Sequence, residues 1–336
     1  MTGHVRMAIV GAGGIGHAYA EALRQVEEVE LVAVADVRQD AGQRLAEAHG
    51  VRHVVDPLTF AHQDVLDLVL LCTPPSTHEP LAVAFLEAGV PVMCEKPLAP
   101  SRAAGQHIVA VAAATGTPLT MASKFRFATD VIEARAIIQS GMLGELISAE
   151  VAFAAPVDMS QRWNSDPAVS GGGVLIDNGT HAVDVLRYLL GPIDSVLATT
   201  SSRGSGLGVE DTALVLTRTA DDRLGSIALS WSVNRLTDRY LAVFGTEGSL
   251  EVGWQSSRSR LRSNSSDVPF GVGYDKFTAL GGNVRNVARA IRGLEPLMVT
   301  PLDALASVAV VEAAYDSARS GAWTRVSVRT QERLTG

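Results

Sequence analysis

Hydrophobic residues in the first third of the chain fall in short, nearly continuous runs separated by helical patterns. The runs that predict buried strands lie at 5–10, 31–35, 68–72, 91–94 and 119–122. The segments that predict helices lie at 15–26, 40–49, from about 78, and at 101–114. Apolar strands without alternation, each followed by a helix, are typical of a parallel sheet covered on both faces. An α/β domain is therefore predicted here.

Beyond residue 122 the pattern changes to strands in which apolar and polar positions alternate. Such strands are predicted at 146–153, 193–200, 212–219, 224–231, 240–245 and 249–252, with helices at 130–140, 283–292 and 303–320. Period-two alternation indicates a large, mostly antiparallel open sheet with one covered face. A length of 336 residues also favours two domains. We expect one domain at 1–122 and a second, α+β domain at 123–336, whose C-terminal helices can pack back on the first.

The second sheet carries apolar side chains that a single chain would expose on at least one face. Leu214, Leu216, Ile227 and Leu229 lie in two successive predicted strands. A large apolar patch in water marks an interaction site, and symmetric self-association covers it. The sequence thus predicts a homodimer or homotetramer.

Composition and charge restrict the classes of partner. The chain has 28 Lys and Arg against 36 Asp and Glu, a formal charge of -8, and no basic run suited to a nucleic-acid backbone. It has no apolar stretch of the roughly 20 residues that a membrane span needs, and the early first strand leaves no room for a signal peptide. Cys72 and Cys94 lie in predicted buried strands without metal-ligand spacing, which favours core residues of a cytoplasmic protein over a zinc site or a disulfide.

A glycine-rich turn, Gly11-Ala12-Gly13-Gly14-Ile15-Gly16, joins the first strand to the first helix. In this pattern the first glycine makes a tight turn and the second lets the backbone approach a pyrophosphate. The third permits close packing of helix on strand, and the helix N-terminus stabilises the phosphate charge. A plain glycine turn is the alternative. The strand before it, the helix after it and an acidic residue about 20 positions later favour dinucleotide binding.

Asp36, at the end of the second strand, is the candidate ligand of the adenosine ribose, with Val37 and Arg38 beside it. A carboxylate accepts from the 2′-hydroxyl and repels a 2′-phosphate, so NAD is predicted as the cofactor in preference to NADP. Arg38 is the competing feature, because a guanidinium accommodates a phosphate.

Two further segments carry candidate catalytic groups. Lys96, in Glu95-Lys96-Pro97, follows a parallel strand at the edge where α/β sheets bind ligands; a surface lysine is the alternative. Asp177 and His181 follow a triple glycine at a spacing that places both on one helix face. An imidazole can take a hydroxyl proton while hydride leaves the same carbon. The alternative is a helix start that Asp177 caps, with His181 satisfied internally.

Five segments resemble the glucose–fructose oxidoreductase/inositol dehydrogenase/rhizopine-catabolism (Gfo/Idh/MocA) oxidoreductase family, in the family's order and over essentially the whole chain. They are the glycine turn, Cys72-Thr73-Pro74-Pro75-Ser76-Thr77-His78, Glu95-Lys96-Pro97, Asp177-x-Gly179-x-His181-x-x-Asp184 and Gly245-Thr246-Glu247-Gly248-Ser249. Asn178 and Thr180 depart from the apolar residues common there, which leaves the substrate open.

The resemblance implies an N-terminal Rossmann domain and a second domain that binds substrate and often mediates oligomerisation. It implies that Lys96 is the catalytic lysine, Asp177 the substrate-binding acid and His181 the general acid/base. Residues expected near the nicotinamide and its ribose are Thr73, Pro74, Pro75, His78, Glu95 and Lys96. Further candidates for the substrate site are Lys124, Arg126, Arg162, Trp163, Asn164 and Asn178. Trp163 offers a face for a sugar ring.

These observations predict a metal-free, NAD-dependent oxidoreductase. Its expected reaction interconverts a secondary ring hydroxyl and a ketone of a sugar, aminosugar, nucleotide sugar or cyclitol, with a place in aminosugar or antibiotic biosynthesis as one option. Two alternatives remain at this stage. One is a family member acting on an imine or a dihydrodiol, and the other is a non-catalytic NAD(H)-binding regulator, which would not need Lys96, Asp177 and His181.

Overall fold

The computed structural model describes residues 4–61 and 66–327. Its first sheet has six parallel strands in the order β3-β2-β1-β4-β5-β6. In chain order these strands are β1 (Val5–Val10), β2 (Val29–Ala35), β3 (Arg52–Val54), β4 (Leu68–Leu71), β5 (Val92–Glu95) and β6 (Leu119–Ala122). The helices between them are α1 (Gly14–Leu23), α2 (Gln39–His49), α3 (His78–Glu87) and α4 (Arg102–Thr115). The predicted parallel sheet is confirmed.

Burial explains why these strands read as unbroken apolar runs. Every residue of β4, β5 and β6 is buried, because helices cover both faces of the sheet. In such a sheet ligands bind at the carboxyl ends of the strands. The glycine turn, Asp36, Thr73 and Lys96 each follow a strand at that end.

The helix α8 (Lys276–Ile291) packs against α1 and completes the core of the first sheet. Its side chains Leu280, Val284 and Val287 belong to the same buried cluster as Met7 and Ile9. Two structural units result, one formed by Met1–Phe127 with Asp275–Ala304 and the other by Ala128–Tyr274 with Leu305–Gly336. The segment 275–304 therefore groups with the first sheet.

The second unit contains a nine-stranded sheet in the order β14-β13-β12-β11-β7-β10-β9-β8-β15, parallel only between β7 and β10. Its strands are β7 (Leu146–Ala154), β8 (Ile193–Ser201), β9 (Thr212–Thr219), β10 (Leu224–Ser230), β11 (Arg239–Gly245), β12 (Gly248–Gly253), β13 (Ser257–Leu261), β14 (Asn264–Gly271) and β15 (Thr324–Arg325). The helices that accompany it are α5 (Thr129–Gln139), α6 (Pro167–Ser170), α7 (Val174–Leu190) and α9 (Pro301–Ser320). The predicted, mostly antiparallel sheet is confirmed.

Helix α7 covers one face of this sheet and packs on β7, β9 and β10. Leu214 and Leu216 lie on the other face and remain 54% and 49% exposed. Ile227 and Leu229 are 2% and 1% exposed, so the expectation that they belong to an exposed patch is wrong. Both are on the face that α7 covers, because β10 pairs Ile227 with Val215 and places Leu216 opposite Ser226.

The hydrophobic pattern does not predict four of the strands: β3, β13, β14 and the two-residue β15. β13 and β14 are held by cross-strand ion pairs: Arg260 with Asp267 and, toward β12, Arg258 with Glu251. Opposite charges on facing strands stabilise a sheet without apolar alternation. The helix predicted at 283–292 begins earlier than predicted, at Lys276. Its N-cap is Asp275, whose side chain accepts a hydrogen bond from the backbone N–H of Thr278.

Candidate functional site

The glycine turn is shaped by close backbone contacts at the first and third glycines of its G-x-G-x-x-G pattern. Gly11 has φ +104°, and a Cβ there would lie 2.5 Å from the carbonyl oxygen of Cys72. A Cβ at Gly16 would overlap the carbonyl oxygen of Gly11. Both positions therefore require glycine, as the turn and the packing of helix on strand predict.

The middle of the turn is open. A Cβ at Gly13 or Gly14 would meet no atom within 4 Å. Gly13 is the N-cap of α1 and makes no side-chain capping bond. The backbone N–H groups of the first turn, Gly14, Ile15 and Gly16, have no acceptor within the helix and can therefore bind another acceptor. Open space in front of helix amides is the cradle that a pyrophosphate needs. The residues present fit a dinucleotide.

Asp36 closes the turn from the end of β2. Its carboxylate accepts hydrogen bonds from the backbone N–H of Ala12 at 2.6 Å and of Arg38 at 2.8 Å. A carboxylate has about four acceptor positions, so capacity remains for ribose hydroxyls. The Arg38 guanidinium lies 3.6 Å from the same carboxylate and its side chain is 65% exposed, while Val37 is exposed beside it. The positive charge of Arg38 thus partly neutralises the negative charge of the Asp36 carboxylate.

His78 joins two loops at this edge of the sheet. It is fully buried, and its ring nitrogens lie 2.8 Å from the carbonyl oxygens of Thr73 and Pro97. Burial lowers the pKa of His78, and backbone hydrogen bonds oppose that shift. Both ring nitrogens thus lie against backbone carbonyl oxygens, and a contact between His78 and the cofactor stays a prediction. The imidazole of His78 ties the loop at Thr73, Pro74 and Pro75 to the loop that follows Lys96.

Glu95 is buried at the end of β5 beside two lysines. Its carboxylate accepts a hydrogen bond from the backbone N–H of Lys96 at 3.1 Å. Burial raises the pKa of Glu95, and the charges of Lys96 and Lys124 partly oppose that shift. Because β5 and β6 are neighbours, Lys124, which follows β6, lies close to the predicted catalytic lysine.

Arg126, a further candidate for the substrate site, is held by the chain that follows α8. It is 3% exposed, and its guanidinium donates to the carbonyl oxygen of Met298 at 3.0 Å and lies 3.5 Å from Asp303. A buried guanidinium held this way connects two segments of the first unit. A contact between Arg126 and the substrate stays a prediction.

Helix α7 presents the predicted acid and base. It begins at Val174, so Asp177 lies in its first turn and His181 one turn later on the same face. Asp177 is half-buried, and His181 is 8% exposed. The N-cap is Gly173, whose carbonyl oxygen accepts from the backbone N–H of Asp177. Asp177 is thus inside the helix, and the alternative in which it caps the helix start is wrong.

The remaining substrate candidates lie on the second unit. Asn178 is half-buried next to Asp177. Arg162 and Asn164 flank Trp163, whose side chain is 42% exposed at the start of a short 3-10 helix, Trp163–Ser165. An exposed indole of this kind can stack on an apolar ring face. The structure leaves all four as predictions.

Sequence reasoning missed two residues of the second unit, Glu210 and Tyr315. Both contact the start of α7, and the Glu210 carboxylate accepts from the backbone N–H of Gly173. The triple glycine at 171–173 was the available signal, because consecutive glycines before a helix indicate close approach of other atoms.

In the described residues, neither the cysteines nor the apolar helices indicate a metal site or a membrane span. Cys72 and Cys94 are buried free thiols, and burial raises the pKa of both. Within 4–61 and 66–327, no three His, Cys, Asp or Glu side chains are grouped so that they could hold a metal ion. In the same ranges, no helix is both long enough and apolar enough to cross a membrane.

Comparisons with known proteins cover both units. Residues 5–123 match the family model described as "Oxidoreductase family, NAD-binding Rossmann fold", and residues 131–251 match the "GFO/IDH/MocA C-terminal domain". Inositol 2-dehydrogenase of Rhizobium meliloti is 28% identical over 93% of this chain and 96% of its own. Inositol 2-dehydrogenase 4 of Saccharopolyspora erythraea is 30% identical over 67% of this chain and 66% of its own.

A solved structure, that of GenD2 from gentamicin A biosynthesis in complex with NAD, is similar to this chain with a TM-score of 0.85. It is 30% identical and covers 97% of each chain. The predicted resemblance is confirmed by these matches. The chain belongs to the GFO/IDH/MocA family of oxidoreductases, with an NAD-binding Rossmann fold.

Proposed function

We propose that the protein is an NAD-dependent dehydrogenase or reductase that interconverts a secondary ring hydroxyl and a ketone of a sugar or cyclitol. The observation that carries the proposal is the pairing of Asp177 and His181 on one face of α7, in a family of NAD-binding oxidoreductases. Residues 1–122 bind the cofactor in this proposal, and residues 123–336 bind the substrate. The inositol dehydrogenase relatives support a polyol ring as the substrate class.

The proposed mechanism divides the work between three side chains. The bound nicotinamide supplies a hydride acceptor for the carbon that bears the hydroxyl. His181 takes the proton from that hydroxyl, Lys96 polarises its oxygen, and Asp177 holds a neighbouring hydroxyl of the ring. In the reverse direction His181 returns the proton to the forming alkoxide.

One comparison favours a sugar ring within the proposed substrate class. GenD2, a protein of gentamicin A biosynthesis, matches this chain over nearly its whole length. This favours an aminosugar or related sugar ring, in a biosynthetic setting, over an imine or a dihydrodiol. Trp163 with Arg162, Asn164 and Asn178 then supplies ring stacking and hydroxyl contacts, with Lys124 near Lys96.

The proposed assembly is a homodimer or homotetramer through the open face of the second sheet. Leu214, Leu216 and Leu224 are each about half exposed there. A second copy of the same face would bury them symmetrically. Light scattering at micromolar concentration should give a multiple of 35.3 kDa, and Leu216→Glu should lower that mass. A monomeric wild type would contradict the proposed assembly and leave the proposed reaction unaffected.

The decisive experiment is a screen of sugars, aminosugars and cyclitols with NAD, followed by NADH absorbance. His181→Ala and Lys96→Ala should each lower kcat by about 10²–10⁴-fold, the usual contribution of a positioned proton-transfer group. His107→Ala, at an exposed histidine paired with Glu79, is the matched control and should keep kcat. Turnover of an imine but of no ring alcohol would overturn the substrate class. Full activity of His181→Ala would remove its proposed role.

A further inference from the structure

The helix that carries Asp177 and His181 lacks a side-chain cap of its own. Its N-cap is Gly173, which has no side chain. An α-helix leaves its first amides without intrahelical acceptors, and a buried amide without a partner destabilises the end of the helix. The acceptors for these amides must therefore come from elsewhere in the second unit.

Glu210 supplies them from 37 residues away in the sequence. Its Oε1 accepts from the backbone N–H of Gly173 and from that of Leu175, both at 3.0 Å. Its main-chain carbonyl oxygen accepts from the N–H of Val174 at 2.9 Å. One residue thus satisfies three successive amides and places a negative charge at the positive end of the helix dipole.

Tyr315 of α9 fixes the carboxylate in that position. Its hydroxyl donates to the same Oε1 of Glu210 at 2.7 Å. Burial and the charge of Glu210 both raise the pKa of Tyr315, so the phenol stays protonated and remains a donor. The carboxylate is thereby held between a helix start and a second helix.

The triple glycine makes this arrangement possible. A Cβ at Gly173 would overlap the carbonyl oxygen of Glu210, and a Cβ at Gly172 would overlap the Tyr315 hydroxyl. Any other residue at Gly173 would displace the main chain of Glu210, and any other residue at Gly172 would displace the Tyr315 phenol, from the start of α7. The glycines, Glu210 and Tyr315 form one connected device, which we call the α7 clamp (Gly172, Gly173, Glu210 and Tyr315).

We infer that Glu210, held by Tyr315, is a positioning residue for the reaction: the α7 clamp sets the orientation of the first turns of α7 and with it the positions of Asp177 and His181. The inference rests on the proposed function, because it gives Asp177 and His181 their roles. Neither Glu210 nor Tyr315 needs to touch the substrate. Displacement of a catalytic group by about 1 Å can cost about 100-fold in rate, so a loosened clamp should affect turnover more than cofactor affinity.

The test compares Glu210→Ala, Glu210→Gln and Tyr315→Phe in the full-length protein. Glu210→Ala should lower kcat by about 10- to 100-fold while the Kd for NADH changes less than about twofold. Glu210→Gln keeps an oxygen acceptor and should recover most of kcat, and Tyr315→Phe should be intermediate. Asp275→Ala is the matched control, since it removes a carboxylate cap from α8, which bears none of the proposed acid/base residues.

A readout that needs no substrate separates this inference from the proposed function. The imidazole signals of His181, identified by their loss in His181→Ala, are followed by NMR at one fixed pH. Glu210→Ala should change the chemical shifts of those signals, and Asp275→Ala should not. Unchanged His181 signals in a folded Glu210→Ala protein would overturn the inference. Inactivity of the wild type on every ring alcohol, with shifted His181 signals in Glu210→Ala, would instead refute the proposed function and support the clamp.

Discussion

Replacement of Gly13 by alanine tests the cofactor site without disturbing the fold around it. Gly13 has φ -82° and ψ -175°, which alanine adopts without strain, and the added Cβ meets no atom within 4 Å. Alanine is a poorer N-cap than glycine by about 1 kcal/mol, and the lower entropy of its unfolded chain offsets about 0.4–1 kcal/mol of that loss. The free energy of unfolding should therefore change by less than about 1 kcal/mol.

Cofactor binding should respond much more strongly. The methyl group of Gly13→Ala would occupy the open space in front of the amides of α1, where the pyrophosphate is proposed to lie. Loss of one hydrogen bond to a charged group costs about 1.5–3 kcal/mol. That cost corresponds to a Kd for NADH raised by about 10- to 150-fold. Fluorescence titration with NADH measures the affinity, and thermal denaturation without cofactor measures the stability.

Gly16→Ala is the informative contrast, because its Cβ would overlap the Gly11 carbonyl oxygen. Overpacking against backbone costs about 1–3 kcal/mol or more, and a change of 1 kcal/mol moves Tm by about 2–4 °C in a domain of about 150–250 residues, the size range of the unit that contains the turn. Gly16→Ala should therefore lower Tm clearly, whereas Gly13→Ala should not. Wild-type NADH affinity in Gly13→Ala would refute the placement of the pyrophosphate, and an equal loss of Tm in both variants would refute the packing argument.

Two further predictions concern charges of the first unit. Asp36→Asn keeps an acceptor for the Ala12 amide but removes the negative charge, so the preference for NADH over NADPH should fall. Titration of the wild type and the variant with both cofactors checks this. A wild type that binds NADPH as tightly as NADH would contradict the prediction. Hydrogen bonds from Arg6 lower the pKa of Asp67, so their stabilisation is present above the unfolded pKa of about 4 and is lost as the pH falls through the lower folded value. Both side chains are more than a third exposed, so Asp67→Asn should lower the free energy of unfolding by at most about 1 kcal/mol at pH 7 and by less at pH 3. Urea unfolding at both pH values measures the two losses. Equal losses at pH 7 and pH 3 would contradict the prediction.

Features set by local chemistry could be predicted from the sequence. The buried strands β4, β5 and β6 are continuous apolar runs, and a strand covered on both faces has no position for an exposed polar side chain. The requirement for glycine at Gly16 is equally local, since its space is limited by the Gly11 carbonyl within the same strand–turn–helix unit, whereas the space at Gly11 is limited by Cys72 at the end of β4. The spacing of Asp177 and His181 fixes their shared face as soon as a helix forms there.

Pairings between distant segments were decided only by the tertiary structure. β13 is built from alternating serines and arginines, and its strand identity depends on Glu251 and Asp267 in neighbouring strands. Ile227 and Leu229 resemble Leu214 and Leu216 in sequence, and only the position of α7 determines which face of the sheet is covered. The apolar face of α8 does not reveal from its own residues which sheet it joins.

The same limit applies to buried polar groups. His78 and Arg126 are both predicted to face a ligand, and the structure adds that each contacts a backbone carbonyl group within the first unit, Pro97 for His78 and Met298 for Arg126. Glu210 was not singled out, although it accepts from the first amides of α7. A sequence shows which residues can donate or accept hydrogen bonds. Removal from water forces each buried group to find a partner, and that partner is chosen by which segments the fold brings together.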